Sequence, residues 1–144
     1  MAAPSIDEID DLILDALQRD GRLSMRLLAA EVHISRANAY ARVARLTAAG
    51  VITGFAALVD PVARGFGTSA YVTMNVRQSE WRHIRASLRS LSGIEHVALV
   101  GGEFDVILLV RARDNSDLRR LVLDEVQAIE GVLSTRTLLV FEET

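Results

Sequence analysis

The hydrophobic pattern of residues 34–46 predicts a helix with one apolar side and one side of unusually small residues. At about 100° per residue, four side chains form the apolar side: Ala39, Val43, Leu46 and, on its shoulder, Tyr40. The opposite side carries Ala37, Asn38, Ala41, Ala44 and Arg45. Ser35 is placed to cap this helix, because its hydroxyl can accept a hydrogen bond from a first-turn amide. Methyl groups on the outer side would let a partner approach the backbone closely.

Two further periodic segments precede this helix. Residues 7–18 predict a first helix that ends at Asp20-Gly21, with Ser5 and Glu8 spaced as a capping box. Its expected apolar stripe is Ile9, Leu12, Ile13, Ala16 and Leu17. Residues 24–32 predict a second helix whose inward side chains are Leu27, Leu28 and Val32.

The short spacing between the second and third helices predicts a helix-turn-helix, since only His33 and Ile34 separate them. Ala49-Gly50 ends the third helix, and residues 51–58 are compatible with a short hairpin turning at Thr53-Gly54. Three helices and a hairpin predict a winged helix-turn-helix over residues 1–58. A small helical core without a ligand is the alternative, because such helix pairs also occur as packing units.

The second half of the chain has a different periodicity. Residues 59–66 predict a linker, because proline and glycine interrupt both periodicities there. Residues 67–144 then predict strands at 68–77, 95–101, 104–112 and 132–141, and amphipathic helices at 80–91 and 116–129. The order β-α-β-β-α-β is ferredoxin-like, so the fold class is α+β.

The predicted sheet has apolar residues on both of its faces. Residues 106–110 are apolar at every position and residues 137–141 nearly so, although a strand with one face in water should alternate. Two helices on one face leave the other uncovered. The pattern therefore predicts a homodimer in which the same sheet of a second subunit covers that face, which suits a helix-turn-helix protein.

Composition restricts the kinds of chemistry available. The 144 residues carry a formal net charge of -3 and no cysteine, which excludes disulfides and thiolate metal sites. DNA affinity must therefore come from a local patch. Residues 21–50 provide such a patch, because they contain one acidic residue, Glu31, and five basic ones: Arg22, Arg26, Arg36, Arg42 and Arg45. The three histidines are too scattered for a metal site, and no cofactor is expected. No signal pattern or membrane-spanning run is found, so we expect a cytoplasmic protein with no membrane partner.

The chain resembles the bacterial and archaeal Lrp/AsnC regulators over essentially its whole length. The motifs that carry this resemblance are Ile9–Leu14, Leu17–Arg22, Ile34-Ser35, Arg42–Leu46, Gly50–Ile52, Val100–Asp105 and Gly131-Val132. The resemblance implies a DNA-binding winged helix-turn-helix, a C-terminal domain that binds small effectors, often amino acids, and dimers that assemble into octamers or other rings. Ala39 departs from the larger residue expected there, and residues 103–104 and 133–135 vary among relatives, which leaves the effector open.

The expected DNA contacts lie on the third helix. Double-stranded DNA is the predicted partner, with base or phosphate contacts from Ser35, Arg36, Asn38, Ala41 and Arg45. Asn38 could bond adenine and Ala41 could touch a thymine methyl group. Arg42 lies at the edge of this side. The sequence leaves two roles for it, namely a phosphate contact or an internal ion pair.

The expected effector site is the turn at Gly101-Gly102. Glycine lets backbone amides approach a ligand carboxylate, while Glu103 and Asp105 could meet an ammonium group. An ordinary hairpin with acidic tips is the alternative from spacing alone. The resemblance favours Gly102 and Asp105 as effector residues, adds Ser134 and Thr135, and places the loop between dimers.

Two other functions use the same architecture. One is a tetrapyrrole-modifying enzyme, which would need His or Arg side chains in a haem-like pocket; the small outer side of the third helix suits DNA and not a porphyrin. The other is a ligand-binding module that has lost DNA binding. An absorbance scan and a gel shift would distinguish these functions.

Overall fold

The computed structural model describes residues 5–143, which divide into two units between Leu58 and Val59. The first unit begins with helix α1, Glu8–Arg19. Asp7 is its N-cap, and Asp7 and Asp10 each accept a hydrogen bond from the other's backbone N–H. The capping box predicted at Ser5 and Glu8 is therefore wrong. An Asp-x-x-Asp pair supplies the same two acceptors two residues further along the chain.

The apolar stripe of α1 also differs from the prediction. Ile13, Ala16 and Leu17 are buried, but Leu12 remains 48% exposed. Asp10, at the opposite edge of the inward side, is fully buried. The prediction of Leu12 as a core residue is wrong because an apolar period cannot show that a charged residue occupies the inward position.

Helices α2, Met25–Glu31, and α3, Arg36–Ala48, form the helix-turn-helix. Ser24 and Ser35 are their N-caps, each accepting a hydrogen bond from the third backbone N–H of its helix, as predicted for Ser35. Leu27, predicted to point inward, is 47% exposed. The core of this unit is formed by Ile13, Ala16, Leu17, Leu28, Val32, Leu46 and Ile52.

Residues 51–58 do not form the predicted hairpin, because no strand is present between Val51 and Gly67. The N–H groups of Val51 and Ile52 both donate to the Leu46 carbonyl, at 2.9 and 3.2 Å. These amides therefore end α3 and are not available to a strand ladder. A two-stranded hairpin is also marginal without a third strand to support it.

The second unit contains one antiparallel four-stranded sheet in the order β2-β3-β1-β4. The strands are β1, Thr68–Val76; β2, Ile94–Leu99; β3, Val106–Ala112; and β4, Val132–Leu139. Helix α4, Trp81–Ser90, follows β1 after a 3₁₀ turn, Gln78–Glu80. Helix α5, Asn115–Arg120, follows β3. The predicted β-α-β-β-α-β order is confirmed.

The last helix is shorter than predicted. Residues 116–129 were expected to be one α-helix, but α5 passes into a π-helical turn, Leu121–Val126. Leu121, Val122 and Val126 are all buried. The wider turn places three apolar side chains against the sheet, and the helix ends before Ile129.

Both helices pack on one face of the sheet. Alternate residues of β3, namely Val106, Leu108 and Val110, are fully buried there together with Ile84, Leu88 and the apolar residues of the π-helical turn. The strand register places Tyr71 beside Leu109 and Leu138, and Thr73 beside Ile107, on the opposite, open face. Tyr71 is 39% and Leu138 is 50% exposed. The apolar run of β3 therefore contributes side chains to both faces of the sheet. The helices of the unit cover only one of these faces.

Candidate nucleic-acid interface and effector cleft

The outer side of α3 presents a row of alanines. Ala37, Ala41, Ala44 and Ala48 are exposed and follow one another at spacings of three or four residues. Arg36 and Tyr40 lie beside this row, with the Arg36 guanidinium 5.8 Å from the centre of the Tyr40 ring. Tyr40 is 54% exposed, so its predicted place on the apolar shoulder is wrong. It lies about 100° around the helix from Ala39, which is fully buried.

Two arginines of α3 bind the buried carboxylate of α1. Nη1 of Arg42 lies 2.8 Å from Oδ1 of Asp10 and 2.7 Å from Oδ2 of Asp7. Nη2 of Arg45 lies 2.5 Å from Oδ2 of Asp10. The Asp10 side chain is 1% exposed and that of Arg42 is 19% exposed. Of the two roles left open for Arg42, the internal ion pair is the one observed.

Arg45 is expected to be free on the outer side of α3, but its guanidinium is bound. Its side chain is 46% exposed, but its guanidinium is bonded to Asp10 and, at 3.4 Å, to the Ser5 carbonyl. We refer to Asp7, Asp10, Arg42 and Arg45 as the ion cluster. The hydrophobic pattern assigns no role to Asp10, and the signal that could have identified it is its spacing from Asp7.

Asn38 lies on the outer side, next to the ion cluster. Its backbone N–H donates to the Ser35 hydroxyl at 3.1 Å, and its Oδ1 accepts from Nε of Arg42 at 3.1 Å. The side chains of Arg36, Asn38 and Ala41 are exposed on this side, while the Ser35 hydroxyl is engaged in capping.

The ion cluster controls the ionisation of its carboxyl groups. Burial raises the pKa of Asp10, but hydrogen bonds from Arg45, the Asp7 backbone and Arg42 outweigh burial and lower this pKa to about 2. The Arg42 guanidinium, followed by the Asp10 backbone N–H, lowers the pKa of Asp7. Both carboxylates are therefore charged at neutral pH and form ion pairs with the two arginines.

The β2–β3 loop contains the residues predicted to bind an effector. Gly101 and Gly102 are exposed, and Gly102 has a φ of 135° that favours glycine. Asp105 is engaged by the fold: its Oδ2 accepts from the Val76 N–H and its own N–H donates to the Met74 carbonyl, both at 2.9 Å. Its carboxylate anchors the loop to the end of β1, a role that spacing did not indicate.

A polar cleft of about 150 Å³ lies beside this loop. It is lined by Thr73, Met74, Asn75, Glu103, Phe104, Ser134, Thr135 and Arg136. Glu103 and Arg136 face each other at 3.9 Å, Asn75 donates to the Ser134 hydroxyl at 3.3 Å, and the Thr135 hydroxyl accepts from Gln127 at 2.7 Å. Three predicted residues thus meet here, whereas Gly101, Gly102 and Asp105 do not line the cleft. Arg136 was missed, although it is a charge within an otherwise uncharged strand.

Residues 5–143 contain no group of three or more histidine, aspartate or glutamate side chains that could hold a metal ion. Within the same residues, no helix combines the length and the apolar character that crossing a membrane requires.

Comparison with known families decides the identity of the two units. Residues 6–53 match the model for a winged helix-turn-helix DNA-binding domain, and residues 69–144 match the model for the Lrp/AsnC ligand binding domain. The chain belongs to the Lrp/AsnC family. It is a transcriptional regulator with a helix-turn-helix unit and a ligand-binding unit.

Individual relatives of this Lrp/AsnC regulator match it in sequence or structure along nearly the whole chain. It is 37% identical to the transcriptional regulator AldR of Mycolicibacterium smegmatis, over 97% of this chain and 84% of AldR. A regulator of Neisseria meningitidis, solved as an L-methionine complex, superposes with a TM-score of 0.90 at 27% identity, covering 96% and 92% of the two chains. The feast or famine regulatory protein of Mycobacterium tuberculosis, also complexed with L-methionine, superposes with a TM-score of 0.89 at 28% identity. The match covers 96% of this chain and 94% of that protein.

These relatives are transcriptional regulators and not enzymes, so the tetrapyrrole-modifying alternative is not supported.

The ion cluster predicts an acid-sensitive contribution to stability. The pKa of Asp10 is about 2 in the fold against 3.8 for an unperturbed carboxyl. Because the folded pKa is the lower one, this stabilisation is complete well above pH 3.8 and is lost as the pH falls towards 2. The free energy of unfolding of the wild type should fall over this interval by on the order of 2 kcal/mol more than that of Asp10→Asn. Chemical denaturation at several pH values measures both; identical pH slopes would contradict a charged Asp10.

Proposed function

We propose that α3 of this regulator enters the major groove of double-stranded DNA with its alanine row facing the bases. The row of exposed methyl groups is the observation that carries this proposal, because it lets the helix backbone approach base edges closely. Arg36 and Asn38 lie at the start of the helix, where recognition helices contact bases. Ala41 provides a methyl contact for thymine, and Asn38 provides an amide for adenine.

The arginines of α3 contribute unequally to this interface. Arg36 is exposed and makes no ion pair among the described residues, so it is available to a phosphate or a guanine. Arg45 is half exposed and can face a phosphate while it bonds Asp10. Arg42 is committed to two carboxylates. Ser35 contributes by fixing the start of the helix.

We propose an amino acid as the effector, held by the β2–β3 loop and the polar cleft. Two structural relatives were solved with L-methionine. Glu103 would bind the ammonium group and Arg136 the carboxylate, because both side chains are largely exposed and can turn apart from their 3.9 Å contact to admit a zwitterion. Backbone amides of Gly101 and Gly102 and the hydroxyls of Ser134 and Thr135 complete the site. Asp105 acts by anchoring the loop.

The open face of the sheet supports a homodimer. Tyr71, Ile107, Leu109 and Leu138 are exposed or half exposed on one continuous face. A second copy of the same sheet would cover these side chains, and a two-fold dimer would present two α3 helices to two half-sites. Assembly of dimers into octamers follows the family. The dimer would act in the cytoplasm, where it meets its DNA.

The groove proposal predicts a base-specific loss in Asn38→Ala. We expect it to weaken binding to a duplex selected by the wild type from a random library by about 1–3 kcal/mol, with a smaller loss on random DNA. Fluorescence anisotropy at one salt concentration measures both duplexes. Thr47→Ala, an exposed change near the end of the same helix, serves as the control. Equal losses on both duplexes would show that Asn38 reads no base.

The dimer proposal predicts that Leu109→Asp separates the subunits. The aspartate would lie on the open face, where an unpaired charge at an interface costs several kcal/mol. Analytical ultracentrifugation should give a smaller species than the wild type, while circular dichroism shows a folded chain. Leu123→Asp, at an exposed leucine of the π-helical turn away from that face, should not change the assembly. A monomeric wild type would refute the covered sheet.

The effector proposal predicts that one or more amino acids stabilise the wild type. A ligand at about 100 times its dissociation constant adds about 2.7 kcal/mol to the free energy of unfolding. A thermal-shift screen of the twenty amino acids identifies it. Glu103→Gln should then weaken its binding about tenfold or more in calorimetry and leave basal DNA binding unchanged, since it removes the ammonium partner.

Glu130→Gln, an exposed change outside the cleft, is the control for that experiment. Stabilisation by no amino acid, or equal binding by Glu103→Gln and the wild type, would contradict the proposed site.

A further inference from the structure

The orientation of the Asn38 amide is determined by its neighbour. Nε of Arg42 lies 3.1 Å from the side-chain oxygen of Asn38. A guanidinium has five N–H donors and no acceptor, so only the oxygen of the amide can face it. The Nδ2 amino group of Asn38 therefore lies on the side of the amide turned away from Arg42.

Arg42 is itself held on the opposite side. Its Nη1 donates to both oxygens of Asp7 at 2.8 and 2.7 Å and to Oδ1 of Asp10 at 2.8 Å. Asp10 is fully buried and is also bonded by Arg45. A continuous series of charge-assisted hydrogen bonds thus runs from the buried carboxylate of α1 to the exposed amide of α3. Such bonds are stronger than neutral ones and keep the guanidinium in one position.

We infer that Arg42 is a positioning residue for base recognition, which acts by fixing the Asn38 amide with its amino group towards the DNA. The inference rests on the proposed entry of α3 into the major groove. A fixed amino group donates to base edges that carry acceptors, namely N7 and O6 of guanine, N7 of adenine and O4 of thymine. It opposes cytosine, whose major-groove edge offers the N4 amino donor. Arg42 therefore contributes to specificity without touching a base.

Arg42→Lys tests this role because it keeps the positive charge and removes the Nε donor. Selection from a random-duplex library followed by sequencing gives the base preference at each position for the wild type and the variants. We expect the wild type to exclude cytosine at one position of each half-site. Arg42→Lys should reduce that discrimination by about 5- to 150-fold, the range of a good base contact.

Arg45→Lys is the matched control, since Arg45 binds the same Asp10 and makes no bond to Asn38. It should keep the exclusion of cytosine. Asn38→Ala should abolish it, and adding Arg42→Lys to Asn38→Ala should cause no further change in base preference. If Arg42 had only a structural role, Arg42→Lys would instead lower the affinity for DNA equally for all sequences. It would do so both in the wild type and in Asn38→Ala.

A second measurement on the wild-type chain covers the case in which Arg42→Lys does not fold. The Asn38 side-chain amide, identified by the loss of its signal in Asn38→Ala, should give an NMR order parameter close to the value of about 0.85 of a rigid backbone amide. A value below about 0.6 would overturn the fixed orientation, as would full discrimination against cytosine by a folded Arg42→Lys. If Asn38→Ala itself leaves the base preference unchanged, the proposed groove reading fails, whatever Arg42 does.

Discussion

A buried carboxylate is the constraint on which the helix-turn-helix unit depends. Asp10 has no access to water, and an isolated charge in such a place would cost several kcal/mol. Arg42 and Arg45 satisfy both of its oxygens, so α3 has to lie where its two arginines reach α1. The same bonds determine which residues of α3 remain free on the outer side. The packing of α3 against α1 and the surface proposed to read DNA are therefore two results of one ion cluster.

The second unit is organised by a different constraint, namely a sheet that is apolar on both faces. The helices bury Val106, Leu108 and Val110, and the register of β1 and β3 then necessarily turns Ile107 and Leu109 the other way. No rearrangement within the unit can cover both sets, because successive residues of a strand point to opposite faces. An apolar face that the unit leaves open is thus part of the strand pattern itself.

Periodicity predicted most of the fold because it reports where apolar side chains must go. It gave the three helices, the order of strands and helices, and the Ser35 cap. It failed where a polar group takes an inward position or where hydrogen bonds compete: Asp10 is buried while Leu12 stays exposed, and the amides of Val51 and Ile52 end α3 without forming a hairpin. The candidate site was predicted less completely, since the partners of Arg42 and Asp105 are distant in sequence or belong to the backbone.

The alanine row has a consequence for how this regulator can evolve. Ala37, Ala41 and Ala44 are exposed and lie outside both the capping network and the ion cluster. Exchanges at such positions, glycine and proline aside, usually change the stability of a fold by about 0.5 kcal/mol or less. With α3 in the major groove as proposed, operator preference can therefore drift by single substitutions there, while the neighbouring Asn38 is tied to the framework of the unit. Paralogues that arise by gene duplication could acquire separate sets of target genes through these three positions without first acquiring a more stable fold.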